Sequence, residues 1–502
     1  MKALISVFDK TNLISFAKSL VELGVSIIST GGTYKHLYDA NIPVTKIEAY
    51  TNYQEILSGR VKTLHPKIHA GILAVRDRAD HIKDLENDNI DYIDIVCVNL
   101  YPFEETIKSA NCSLEEAIEN IDIGGPTLLR AAAKNYRYVN AIIDYRDYDL
   151  VVDELRHKGR TSLNTRFALA SKVFRYTASY DAHIAKYLSN LENNHFPEKL
   201  TMTFTLHEKL RYGENPHQQA AYYLKDANLF YQQLQGKQLS YNNLQDINAA
   251  MGIISEFSEL AVVNLKHLNP CAVALGNNVK LAFMKAYEGD PVSIFGGIVA
   301  TNHVIDESTA LELTKIFLEI VIAPGFTEKA LEILKQKPNL RLLTVNSEIY
   351  SQIKNQANFI SGGLLVQEGD NDLYDKLVYP TKRKVTETEL KQLLFAYKVV
   401  KHVKSNAIVV AKEDMTLGIG AGQMNRVGAA KIALEQAESK AKDAVLASDG
   451  FFPMKDTVEA AYNAGIVAII QPGGSIRDEE SIKFCDDHNI AMVFTNMRHF
   501  KH

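Results

Sequence analysis

The opening forty residues constrain the fold more than any other feature, because they switch between two periodicities. The apolar run Ala3 to Phe8 reads as a strand, and Leu13, Phe16, Ala17, Leu20 and Leu23 then recur at helical spacing until Gly24 stops them. Val25 to Ile28 is rich in β-formers, the Ser29-Thr30-Gly31-Gly32-Thr33 turn follows, and Tyr34 to Ala40 reads as a helix that Asn41-Ile42-Pro43 breaks. A further apolar strand, Ile93 to Leu100, ends at Tyr101-Pro102, where proline lacks the N–H that a continuing ladder needs. This alternation predicts an α/β fold, with a parallel sheet covered by helices on both faces.

At 502 residues the chain exceeds what one hydrophobic core serves, and a prior of roughly 150 residues per domain suggests about three compact units. Between about residues 185 and 202 the periodicity weakens and Asn190, Asn193, Asn194, Pro197 and Lys199 intervene, which sets domains at 1–195 and 200–502. Beyond that boundary the strand-like runs Ala261 to Leu265, Ala407 to Ala411 and Ile466 to Ile470 alternate with helical stretches such as Val427 to Lys442. The second region is therefore α/β as well. The runs beginning at Ala261 and Ala407 each set a strand beside Lys and Asn, which hints at two related subdomains.

Composition excludes several classes. With 46% hydrophobic and 23% charged residues the chain is neither disordered nor fibrous, and a net charge of −5 lacks the basic surface that nucleic-acid binding requires. No run approaches the roughly 20 apolar residues of a membrane span. Asp9 and Lys10 cut the N-terminal apolar run short, so it reads as a strand rather than a signal segment. Cys97, Cys112, Cys271 and Cys485 lie far apart without metal or redox spacing, as expected of reduced thiols in a cytoplasmic protein.

In the first region, the hydroxyls and amides of Ser29-Thr30-Gly31-Gly32-Thr33 open a helix after a strand and could converge on a phosphate, with Lys10 on the same edge. Gly59-Arg60-Val61-Lys62-Thr63-Leu64-His65-Pro66 places two cations and a hydroxyl in a loop bounded by glycine and proline, a plausible anion clamp. Taken singly, a Gly-Gly pair is more often a tight turn, a basic loop is more often solvated, and Asp122 before Gly124-Gly125-Pro126 is more often a helix cap. Together with Asn99-Leu100-Tyr101-Pro102-Phe103 and Leu128-Leu129-Arg130-Ala131-Ala132-Ala133-Lys134-Asn135, these segments resemble the inosine monophosphate (IMP) cyclohydrolase family, whose fold is similar to methylglyoxal synthase. The resemblance implies that Lys62, Tyr101, Asp122 and Lys134 line a catalytic site, and that Ser6, Lys10, Thr30, Gly31, Gly32, Thr33, Arg60 and Thr63 hold a nucleotide phosphate.

In the second region, Lys266-His267 ends an apolar strand, and histidine titrates near neutrality. Alone, this pair is more often a solvent-facing strand end. Lys209-Leu210-Arg211-Tyr212-Gly213-Glu214-Asn215-Pro216, Ser293-Ile294-Phe295-Gly296-Gly297, Ser405-Asn406, Gly418 to Arg426, Ser448-Asp449-Gly450-Phe451 and Asn496 to Phe500 accompany it. In that order they resemble the formyltransferase that acts on aminoimidazole carboxamide ribonucleotide (AICAR), a two-subdomain α/β enzyme similar to cytidine deaminase and typically fused behind the cyclohydrolase. The resemblance spans nearly the whole chain. It implies catalysis by Lys266 and His267, and nucleotide or folate binding by Arg211, Tyr212, Asn243, Asn406, Arg426, Phe451, Asp456, Arg498 and Phe500. It also implies 10-formyltetrahydrofolate as co-substrate and a homodimer with formyltransferase sites at the interface.

A deaminase-like fold raises the question of zinc, but Pro270-Cys271-Ala272-Val273-Ala274 lacks the second cysteine of such a motif and His207-Glu208 lacks the His-x-Glu spacing, so no metal is expected. Ala272 stands where a glycine is expected from the family, and Glu319 where relatives carry an acid. A nucleotide sensor without catalysis is the rival for the first region; the presence of Lys62, Asp122 and Lys134 argues against it.

Overall fold

Five parallel strands, β1 (Lys2–Ser6), β2 (Ser26–Ser29), β3 (Val44–Lys46), β4 (Ile95–Val98) and β5 (Asn140–Ile142), form one sheet in the order β3-β2-β1-β4-β5. This computed structural model describes residues 1–109, 111–225, 229–345 and 355–502. The chain divides into two compact units, Met1–Thr203 and Phe204–His502.

Strand pleating sorts the first sheet's side chains into two cores. Leu4, Ile28 and Val96 face one way, against Ile68 and Ile72 of the Pro66–Leu73 helix, Leu128 and Leu129 of the Gly124–Lys134 helix, and Ala170 and Val173 of the long Leu163–Leu191 helix. Ala3, Ile5, Ile27, Ile95 and Cys97 face the other way, against Phe16 and Leu20 of Leu13–Glu22 and Val151 and Leu155 of Tyr148–Lys158. Helices thus cover both faces, as the alternation predicts. Strand order reverses at β1, and parallel ligand-binding sheets open a crevice at such a point, beyond the strands' carboxyl ends. Ser6, Ser29 and Val98 end their strands there.

The second unit begins with an antiparallel hairpin, β6 (Thr205–Leu210) and β7 (Ala220–Leu224). Its main sheet contains β8 (Tyr231–Gln235), β9 (Ala261–Lys266), β10 (Asn269–Leu275), β11 (Ile298–Thr301), β12 (Ile320–Ala323) and β13 (Arg341–Val345). An exposed hairpin, β14 (Asn355–Ile360) and β15 (Gly363–Glu368), separates these from β16 (Ile408–Lys412), β17 (Met415–Gly420), β18 (Val445–Ser448), β19 (Ala468–Gln471) and β20 (Ala491–Phe494). The order is β20-β19-β18-β16-β17-β10-β9-β11-β12-β13-β8.

That order is one pattern used twice. In each half a hairpin (β9-β10, β16-β17) takes an antiparallel third strand and two further parallel ones, and the halves meet where β10 pairs with β17. Side chains repeat as well: Lys266 Nζ donates to Phe295 O at 2.7 Å and Lys412 Nζ to Lys442 O at 3.0 Å, each acceptor lying just before the third strand of its half. Where the halves touch, His402 Nε2 lies 2.8 Å from Glu256 Oε1 and Gln436 Nε2 donates to Asp290 Oδ2 at 2.9 Å, both pairs 146 residues apart. The expected pair of related subdomains is thus present, but its sheet is mixed, because β10 and β17 return antiparallel through short turns.

Two candidate active sites

In the first unit the loops after β1 and β2 are tied together by hydroxyls. Ser6 Oγ lies 2.8 Å from Thr30 Oγ1; Thr33 Oγ1 accepts from Val7 N at 3.0 Å and donates to Val7 O at 2.9 Å. Thr30 caps the Gly31–Asp39 helix with extended backbone, yet its side chain bonds no helix amide. The first-turn amides therefore stay available to an anion, and the helix dipole favours one there. Gly31 has φ +44, and a Cβ built on it would stand 3.8 Å from Lys62 Nζ. Lys62 is drawn to this turn from the Arg60 loop and makes no ion pair among the described residues. Lys10 Nζ turns back to Phe8 O at 3.1 Å, and a Cβ on Gly32 would meet open space.

Asp122 feels the charge of this cation. Its Oδ1 accepts from Gly125 N at 2.8 Å, and Tyr101 N–H donates to the same carboxylate. Burial pushes its pKa up, while the two amides and the charge of Lys62 oppose the rise. Thr63 is buried against the start of the Gly124–Lys134 helix, where a Cβ on Gly124 would lie 2.7 Å from its Oγ1. Tyr101, half exposed, tilts against Phe8 with ring centroids 5.5 Å apart.

Two further expected residues are exposed. Arg60 is exposed and paired with Glu119. Lys134 closes the 11-residue helix that Gly124 opens. A rise of ~1.5 Å per residue puts it about 15 Å along the axis, exposed.

In the second unit, Lys266 and His267 line a cleft of about 730 Å³ with Asn269, Cys271, Asp290 and Ser293 on one half and Ile419, Ala421, Glu435 and Gln436 on the other. Asn269 links the halves: its Oδ1 accepts from Lys404 N at 3.0 Å and its Nδ2 donates to His267 O at 3.2 Å. Burial raises the Cys271 thiol to about 12, so it stays protonated. Ala272 is fully buried, and its Cβ comes within 2.9 Å of a Cβ built on Gly289, so the methyl keeps a glycine at the facing position. Glu319 pairs with Arg341 at 2.8 Å.

A second cluster gathers around a fully buried carboxylate, Asp449. It accepts from Ser405 Oγ at 2.5 Å and Ala407 N at 3.1 Å, and pairs with Arg426. Arg426 also donates to Ser448 Oγ at 2.8 Å and to Asn406 Oδ1 at 2.7 Å, so one guanidinium joins two loops. Phe500 is half exposed beside it, with Arg498 4.6 Å above the ring. Phe451 follows Asp449-Gly450, exposed. Arg211 lies over Tyr212 at 5.7 Å after β6. Asp456 is half-buried and accepts from Thr457 N at 2.7 Å, while Asn243 is buried in the cap of the Tyr241–Ile254 helix.

Comparison with known proteins identifies the family of the chain. The family model described as AICARFT/IMPCHase bienzyme matches residues 132–436, and an MGS-like domain matches 12–127. The bifunctional purine biosynthesis protein PurH of Anoxybacillus flavithermus is 59% identical over 508 residues, covering 100% of this chain and 99% of that protein. The chain belongs to the AICARFT/IMPCHase bienzyme family. The protein of the same name from Listeria monocytogenes is 56% identical, with 100% of both chains covered. A solved chain described as ForH is 36% identical and covers 37% of this chain and 97% of its own, at a TM-score of 0.33.

As a member of this bienzyme family the chain carries two activities, and formyl transfer implies a folate co-substrate. Among the described residues no helix is long and apolar enough to cross a membrane, and no three His, Cys, Asp or Glu residues are grouped to hold a metal ion. Tyr176, Tyr180 and Asp246, whose side chains accept from the amides of Leu100, Asp122 and Leu268, escaped the sequence reading, and Asp449 showed there only as part of Ser448-Asp449-Gly450. The tyrosines look like any helix aromatics until the fold brings the loops to them.

Proposed function

We propose that the second unit transfers a formyl group from 10-formyltetrahydrofolate to the 5-amino group of AICAR, and that the first unit closes the formylated product (FAICAR) to IMP with loss of water. Family membership carries the overall reaction, and the juxtaposition of Lys62 with Asp122 beside an open helix N-terminus carries the cyclohydrolase assignment.

Ring closure sets a carboxamide nitrogen, a poor nucleophile, against the formamide carbon. Asp122, with its raised pKa, takes the proton from the attacking nitrogen and returns it to the formyl oxygen, whose charge Lys62 and Tyr101 stabilise; the formamide N–H supplies the second proton, so the oxygen leaves as water as the C=N bond forms. The phosphate rests on Ser6, Lys10, Thr30 to Thr33, Arg60 and Thr63. Arg60 then exchanges Glu119 for phosphate. No step is assigned to Lys134.

In the second unit, His267 accepts the proton of the arylamine as its nitrogen bonds to the formyl carbon, and the folate nitrogen leaves protonated. Lys266 donates to the oxyanion; its bond to Phe295 O leaves two N–H groups for this. Arg211, Tyr212, Asn243 and Arg498 grip the nucleotide, and Asn406, Arg426, Phe451, Asp456 and Phe500 shape the substrate and folate pockets. The protein works as a cytoplasmic homodimer without a catalytic metal, with formyl-transfer sites at the subunit interface.

The test is purified protein supplied with AICAR and 10-formyltetrahydrofolate, with IMP as readout. His267→Ala should stop formylation and leave cyclisation of supplied FAICAR intact, whereas Lys62→Ala should let FAICAR accumulate. Loss of both activities in folded His267→Ala, or unchanged IMP output from Lys62→Ala, would refute these assignments.

A further inference from the structure

Only two residues, His267 and Leu268, turn the chain from β9 to β10, and both lie in the left-handed region, with φ 53 and 66. Hairpin turns of this hand favour Asn-Gly, because most side chains resist positive φ. The matching turn of the other half, Glu413-Asp414, has the same shape, with φ 53 and 61.

What differs is the brace. At Glu413-Asp414 two lysines hold the turn from outside: Lys285 Nζ donates to Glu413 O at 3.1 Å, and Lys391 Nζ lies 3.4 Å from Asp414 Oδ1. At His267-Leu268 an acid holds it from beneath. Asp246, on the Tyr241–Ile254 helix, accepts from Leu268 N at 2.8 Å, and the amide of His267 donates to the same carboxylate. With the Asn269 bond to His267 O, both backbone polar groups of His267 are fixed. Asp246 does not line the cleft and reaches it only through the turn.

We propose that Asp246 is a positioning residue for formyl transfer, whose carboxylate holds the strained His267-Leu268 backbone so that the imidazole is presented to the cleft. The inference rests on the reading of His267 as the base. A strained turn at a functional site persists only where its surroundings over-determine it, and the two amide bonds supply that. The second half keeps the turn without a histidine, so the geometry belongs to the hairpin and the acid to the half that carries the imidazole.

Asp246→Ala in the full-length protein should lower the formyl-transfer kcat by about 100-fold, the scale of a small misplacement of a catalytic group. The KM for AICAR should stay within about twofold, since Asp246 touches no substrate. Cyclisation of supplied FAICAR should not change. Adding Leu268→Gly to Asp246→Ala should recover at least about tenfold in kcat, because glycine adopts positive φ without a brace. Asp246→Asn, which keeps one acceptor oxygen, should fall between wild type and alanine. A normal kcat in Asp246→Ala overturns the proposal, as does a loss that Leu268→Gly fails to recover. His267→Ala separates the two levels: if it transfers formyl groups at the wild-type rate the reading of the site fails, whereas a dead His267→Ala beside an active Asp246→Ala removes only the role of Asp246.

Discussion

The amide of Asp122 donates to the hydroxyl of Tyr180 at 2.8 Å, and one helical turn earlier the hydroxyl of Tyr176 accepts the amide of Leu100 at 3.1 Å. One face of the Leu163–Leu191 helix therefore holds both loops that carry candidate catalytic groups, Tyr101 beside Leu100 and Asp122 itself. Tyr180→Phe keeps the ring in its packing but strands the Asp122 amide. An unsatisfied buried donor costs about 1–3 kcal/mol. Steady-state cyclisation of FAICAR should fall about tenfold, through kcat more than KM, and formyl transfer should not change. A variant with wild-type cyclisation would show that the loop needs no such anchor.

Asp122 supplies a pH signature. Burial raises its pKa, so between the ordinary value of 3.8 and the raised one the folded chain keeps a proton that the unfolded chain has lost. Its contribution to stability is fully present below 3.8 and is lost as pH rises through the raised pKa. Asp122→Asn carries no charge to desolvate and keeps an oxygen for the Gly125 amide. It should therefore melt at the same or a higher temperature than wild type at pH 7, with the difference closing in acid, while cyclisation falls at least about 100-fold. Calorimetry across pH 4 to 7 with parallel assays checks both halves; a melting point that drops at neutral pH contradicts the desolvation argument.

Much of this was legible in the sequence, for identifiable reasons. Strand-helix alternation over Ala3 to Ala40 stated the parallel sheet, because a strand buried on both faces must read as a continuous apolar run. The Ser29 to Thr33 turn and the Lys266-His267 strand end were visible because glycine and charge interrupt apolar text. The mixed sheet was not visible, since the β9-β10 and β16-β17 turns are His-Leu and Glu-Asp, without the glycine or asparagine that announces a tight hairpin. Nor could composition show that Lys134 and Asp122 stand at opposite ends of one helix, or that Tyr176 and Tyr180 reach loops 76 and 58 residues away.

Arg426 and Asp449 are both buried, and the cost of their pairing appears only when one is removed. Asp449→Ala leaves the guanidinium without its counter-charge and frees Ser405 Oγ and Ala407 N together. Breaking a buried pair in this way costs about 3–5 kcal/mol. Urea denaturation followed by circular dichroism should show the loss. The double variant Asp449→Ala with Arg426→Met should recover part of it without restoring formyl transfer. A single variant as stable as wild type would mean that water reaches the site.

Gly450 separates a positional role from a structural one at the same cluster. A Cβ there would lie 2.5 Å from Arg426 Nη2 and 2.7 Å from Phe500 Cε1, so one of the two must move in Gly450→Ala. Arg426 is held by Ser448, Asp449 and Asn406, whereas Phe500 is 43% exposed and its ring meets Arg498 and His502. The ring should therefore yield and carry the Arg498 guanidinium with it. Formyl transfer should show a KM for folate or nucleotide raised about tenfold, a change in melting temperature of at most about 2 °C, and unaltered cyclisation. If the melting point instead drops as far as in Asp449→Ala, the guanidinium has moved rather than the ring, and Phe500 is not the soft side of the pocket.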